Sequence, residues 1–130
     1  MNRVRGEFDV KLVPQADGSA SPLGRLTIDK QFRGDLAGTS QGQMLAFRSA
    51  VDGSAGYVAM ELVTGTLQGC SGTFVLQHSS TLTRGTPRQS IAVVPDSGTG
   101  ELVGLSGTMT IDIVDKKHFY DFEYAIEPRA

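Results

Sequence analysis

One hundred and thirty residues, 39% hydrophobic and 20% charged with a net charge of −2, make a single-domain chain whose core needs no metal or disulfide staple. A pI near 5.6 without any basic cluster argues against a nucleic-acid partner, since phosphate neutralisation demands a basic face. No run reaches the roughly 18 apolar residues of a membrane helix, the first ten residues lack a signal-peptide apolar region, and lone Cys70 has no disulfide partner; a cytoplasmic protein with no membrane partner is expected.

The chain reads with a period of two nearly throughout. In Glu7 to Leu12, residues Phe8, Val10 and Leu12 alternate with polar neighbours, the pattern of a half-buried strand. Pro14 to Pro22 is rich in turn formers and reads as a loop. A strand over Gly24 to Arg33 puts Leu26, Ile28 and Phe32 on one face, with Lys30 among them. The next strand covers about Ala37 to Ser49, although Ser40 to Val51 also carries a weak helical signal. After a turn at Val51 to Gly56, Tyr57 to Leu67 sets Tyr57, Ala59, Glu61 and Val63 against Val58, Met60 and Leu62. Both faces are apolar, which predicts cover on both sides and makes a homo-oligomer a candidate state.

Thr73 to Thr83 places Phe74, Leu76, His78 and Leu82 together, and Arg84 to Arg88 turns the chain. Short strands follow at Ile91 to Val94 and Thr108 to Val114, and a polar turn at Asp115 to Lys117 leads to a last strand, His118 to Ile126, with Tyr120, Phe122, Tyr124 and Ile126 facing inward. Arg3, Arg5, Lys116 and Lys117 read as solvated ends.

The pattern Gly-x-Leu-x-Gly recurs at Gly34–Gly38, Gly65–Gly69 and Gly100–Gly104, each soon followed by Gly-Thr. Glycines in or beside strands mark bends and close backbone approaches, and the intervening leucine is placed to plug a barrel end. Gly98-Thr-Gly100-Glu-Leu-Val-Gly104 is not a phosphate loop: its third glycine falls one position late and no helix follows. About eight strands, short turns and repeated bends predict an all-β fold, a closed antiparallel β-barrel in one domain spanning 1–130. Such a barrel is wide enough for filled side chains or one small ligand.

Four separated runs, Ile28 to Gly42, Gly56 to Glu61, Gly72 to His78 and Pro95 to Leu102, resemble a family of small bacterial proteins of unknown function. The resemblance spans about Glu7 to Ile126. It implies the fold of the allene oxide cyclase-like barrels and establishes no catalytic residue.

If the apolar faces point inward, Lys30, Glu61 and His78 go inside with them. Buried charges must pair or meet a ligand, and their altered proton affinities suit acid–base work; a structural ion pair is the plainer alternative. Tyr57 and Tyr124 share the inward alternation and complete the candidate ligand set. His78 and His118 have no metal-site spacing, so neither a metal nor a cofactor is expected. Ser79 cannot face His78, because adjacent strand residues point to opposite faces. Cys70, beside a glycine bend, reads as a packing residue. The leading expectation is an uncharacterised barrel binding a small apolar or acidic ligand, oriented by Lys30 and Glu61. The alternatives are an isomerase- or cyclase-type enzyme using Glu61 or His78 as acid or base, and a structural oligomer with a filled barrel.

Overall fold

A computed structural model describes residues 1–15 and 22–127. Eight antiparallel strands close into a barrel in sequence order: β1 Asn2–Gln15, β2 Gly24–Gly34, β3 Leu36–Arg48, β4 Ala55–Leu67, β5 Cys70–Thr83, β6 Thr86–Val93, β7 Leu105–Val114 and β8 Lys117–Ile126. The closing contact pairs β1 with β8, Val4 opposite Phe122 and Phe8 opposite His118. Closure gives every strand a neighbour on both sides and so protects its edges, although β6 and β7 pair only through Ile91–Met109 and Ala92–Thr108. Alternation does the rest: inward residues Phe8, Ile28, Phe32, Val63, Phe74, Leu76, Met109, Tyr120 and Phe122 are buried. Their outward neighbours on β4, Val58, Met60 and Leu62, are exposed in the single chain, as are Leu45 and Phe47 on β3.

Several expectations are corrected. The weak helical signal from Ser40 lies mostly in β3, because the cross-strand ladder from Leu36 opposite Leu67 to Arg48 opposite Ala55 satisfies the backbone better than an isolated helical turn could. Strand β1 runs from Asn2 through Gln15, so Pro14 and Gln15 belong to it rather than to a loop; residues 16–21 of that expected loop lie outside the described residues. Arg3 and Arg5 are not bare solvated ends. Both reach Asp121 across the β1–β8 seam, at 2.6 and 3.1 Å, and hold its carboxyl below the ordinary range by hydrogen bonding and charge, with Arg3 the larger influence.

The three leucines of the glycine repeat converge. Leu36, Leu67 and Leu102 are fully buried in one cluster with Phe74, Phe122 and Tyr124, closing the end of the barrel where β2 turns into β3 and β4 into β5. Gly38 faces Gly65 across β3 and β4; a Cβ added at Gly38 would stand 2.6 Å from the Gly65 Cα, so two side chains cannot share that crossing. The third copy differs. Gly100–Leu102 is a single 3-10 turn, and the segment before it runs along β5. Thr99 N donates to Thr73 O, while the Ser97 and Thr99 hydroxyls accept from Val75 N and Thr73 N. These contacts satisfy the stretch of β5 that β6 does not reach.

Tyr120 fastens the same end. Its hydroxyl accepts from Leu36 N at 2.9 Å and lies within bonding distance of the Arg33 and Leu36 carbonyls, at 2.9 and 3.1 Å. Gly6 is where the hydroxyl passes, and a Cβ there would lie 2.4 Å from it.

Candidate functional site

Above the packed leucine end the interior changes character. Lys30 on β2, Ser40 on β3, Glu61 on β4 and His78 on β5 are all buried, and the alternation that seats apolar residues inward elsewhere on these strands seats them too. Glu61 is 1% exposed and Lys30 6%. The Lys30 Nζ contacts both carboxylate oxygens, Oε1 at 2.9 Å and Oε2 at 3.0 Å, and the Ser40 hydroxyl donates to Oε1 at 2.8 Å. Gly42 stands opposite Glu61 on β3, where a Cβ would come within 2.9 Å of the Glu61 Cα. The pair also sits beside an aromatic face, with Nζ 5.0 Å from the centre of the Phe8 ring, a favourable cation–π placement.

His78 continues the tier. Its Nε2 lies 2.8 Å from the Tyr57 hydroxyl and the two rings meet edge to face. Its Nδ1 lies 3.9 Å from Glu61 Oε2, too far for a hydrogen bond. This contact is not an ion pair at neutral pH. Burial, reinforced by the Lys30 charge and only partly opposed by Glu61, lowers the imidazole pKa from 6.5 to about 4. The neutral ring carries one proton, and its tautomer sets which of Nε2 and the Tyr57 hydroxyl donates in the 2.8 Å bond they share. Burial raises the Tyr57 hydroxyl above its ordinary pKa and keeps it protonated.

Over this tier, at the end opposite the leucines, lies a cavity of about 180 Å³. Its walls are mainly apolar, among them Phe8, Ile28, Met44 and Ile111, and Lys30, Tyr57 and His78 give it polar groups. Gln89 and His118 add two more; the Gln89 side-chain oxygen accepts from Ile111 N at 2.8 Å, bridging β6 and β7 where the strands pair only through Ile91–Met109 and Ala92–Thr108. A wider, shallow concavity of about 470 Å³ involves β3, β4 and β5, with Leu45, Val58 and Met60 on its outer wall. Arg25, Gln43, Gln77 and Ser79 also line it, and Arg25 donates to the Gln43 side-chain oxygen at 3.2 Å on the exposed face, whereas the polar groups of the interior site are buried together.

The expected set therefore divides. Lys30, Tyr57 and His78 line the cavity together. Glu61 lies behind them, its side chain wholly covered, and acts on the cavity only through Lys30 and His78. Tyr124 is at the leucine end, packed on Phe122 with its hydroxyl donating to Gln68, and does not reach the cavity. Ser40 was readable as an inward residue from the alternation of its strand, whereas Gln89 carries no sequence signal: it lies in an exposed, polar stretch of β6. Among the described residues no cluster of His, Cys, Asp and Glu is arranged to hold a metal, and no helix is long and apolar enough to cross a membrane.

The fold and this interior can be set beside known proteins. A search of curated proteins finds no match. A crystal structure of a protein with unknown function from the DUF3224 family of Shewanella oneidensis MR-1 is 50% identical, covers 99% of both chains and superposes with a TM-score of 0.95. The family model described as "Protein of unknown function (DUF3224)" matches residues 4–124, all but the margins of the barrel, and the chain belongs to that family.

Proposed function

We propose that this protein binds a small, largely apolar molecule in the interior cavity, with the polar end of the ligand directed at Lys30, Tyr57 and His78. The observation that carries the reading is a cavity of about 180 Å³ walled by apolar side chains and ending on a few convergent polar groups, the usual composition of a ligand site. A dry apolar cavity of about 150 Å³ accommodates a benzene-sized molecule, so a single small ring or short branched chain fits. Glu61 is the orienting residue rather than a contact: it holds the Lys30 ammonium in place from behind. An acid–base enzyme with Glu61 touching substrate has less support, because Glu61 is covered by Lys30, Ser40 and His78.

Thermal-shift screening with small neutral aromatic and aliphatic compounds tests this. A ligand at ten times its dissociation constant adds about 1.4 kcal/mol, roughly 5 °C for a domain of this size. Ile111→Phe, which fills the cavity wall, is expected to abolish the shift. Absence of stabilisation across the screen, or an equal shift in Ile111→Phe, would overturn the reading.

A further inference from the structure

Resting on the ligand-site reading, we propose that the cavity selects uncharged, oxygen-bearing ligands, such as small ring-bearing amides, ketones or alcohols, and rejects the corresponding carboxylates. A lysine in a pocket ordinarily suggests an anion. Here its charge is already answered: the ammonium lies 2.9 and 3.0 Å from the two oxygens of one fully covered carboxylate. The Ser40 hydroxyl and the carboxylate bind each other from the other side. The neutral ring of His78 adds no positive charge, so the floor formed by Lys30, Glu61, Ser40, Tyr57 and His78 is neutral as a unit.

A carboxylate ligand seated on Lys30 would place two carboxylates on one ammonium, inside apolar walls that offer no further counter-ion within the floor. A buried ion without its own partner is strongly disfavoured, and so is a like-charge neighbour at this range. An uncharged oxygen meets neither obstacle. Glu61 engages at most two of the three Lys30 N–H groups, which leaves a donor for a ligand carbonyl or hydroxyl. The Tyr57 hydroxyl, bonded to the His78 ring and to Ser80, has a third hydrogen-bonding position for a ligand polar group. Phe8, beside the ammonium, offers a ring face to the apolar part.

Benzamide and benzoate are nearly the same shape and differ in charge, so their dissociation constants, measured by ligand-observed NMR titration at pH 8, test the inference. Ordinary imidazoles are uncharged at that pH. Wild-type protein is expected to bind benzamide at least tenfold more tightly than benzoate, and Ile111→Phe to bind neither. In Glu61→Gln, which frees the Lys30 charge, benzoate binding should strengthen at least tenfold; in Lys30→Met benzamide weakens and benzoate gains nothing. Benzoate binding to wild type as tightly as benzamide overturns the selectivity and leaves the ligand site standing. Binding of neither probe to wild type removes the site and the inference together. If Glu61→Gln fails to fold by circular dichroism, the wild-type ratio decides alone.

Discussion

Replacing Glu61 by Gln keeps the shape of the side chain and an acceptor for the Ser40 hydroxyl, but strips Lys30 of its counter-ion. The glutamate is 1% exposed and cannot turn to water without opening the barrel, while the lysine, 6% exposed, meets water only through the cavity. Breaking a pair of this kind costs about 3–5 kcal/mol, because the remaining charge is stranded. Lys30→Met, nearly isosteric and apolar, should cost a similar amount by stranding Glu61. Combining the two removes both charges, and replacing a buried pair by well-packed uncharged groups is often close to neutral. The double variant is therefore expected within about 1 kcal/mol of wild type, giving a coupling on the order of 5 kcal/mol or more. Against a total stability of about 5–15 kcal/mol, a loss of this size brings each single variant near the edge of folding at the low end of that range. The chain has no tryptophan and three tyrosines, so urea unfolding followed by tyrosine fluorescence is a suitable assay, read at unchanged slope. Two single variants each costing under about 1 kcal/mol and adding independently would show that the pair behaves like a solvated surface contact. That result would refute the description of a dry polar tier.

His78 makes stability depend on pH in a defined window. The unfolded chain takes up a proton near pH 6.5 and the folded one holds it off until about 4. Stability is complete above 6.5 and falls as pH drops toward 4, by on the order of 2 kcal/mol after allowance for solvent screening. His78→Gln should flatten this part of the curve in urea titrations between pH 7 and 4, leaving the losses at lower pH to carboxylates such as Asp121; an unchanged slope would count against a neutral buried imidazole. At the leucine end, Tyr120→Phe removes the partner of the buried Leu36 N–H and is expected to cost about 1–3 kcal/mol without altering ligand binding, as urea unfolding and titration together would show.

The barrel was legible because its strands alternate cleanly and its turns are marked. Phe8, Ile28 and Phe32, Phe74 and Leu76, and Tyr120 and Phe122 sit on the faces their spacing requires. The repeated Gly-x-Leu-x-Gly pattern marks the plugged end through Leu36, Leu67 and Leu102. The meeting of Lys30, Glu61 and His78 followed from the same parity, since each interrupts an inward apolar set. Depth along the barrel was not legible. Parity gives a face but not a height, so Tyr57 and Tyr124 looked equivalent although one stands by the cavity and the other at the leucine end. Nor does parity show which groups cover which: Glu61 lies behind Lys30 and Ser40 through side-chain contacts that spacing alone does not give. Long-range pairing was hidden as well. Arg3 and Arg5 find Asp121 only through the β1–β8 closure, 118 and 116 residues away in the chain.

Methyl-resolved NMR with isotope-labelled isoleucine and methionine tests the ligand site most directly. Ile28 and Ile111 line the interior cavity alone and Met44 lines both it and the outer concavity, whereas Met60 lines only the outer concavity and Met109 is in the packed core. On titration with benzamide the Ile28 and Ile111 methyl groups are expected to shift together along one saturable curve, with Met44 following, while Met60 and Met109 stay in place. Shifts confined to Met60, or none at any cavity methyl up to millimolar probe, would contradict an interior ligand site.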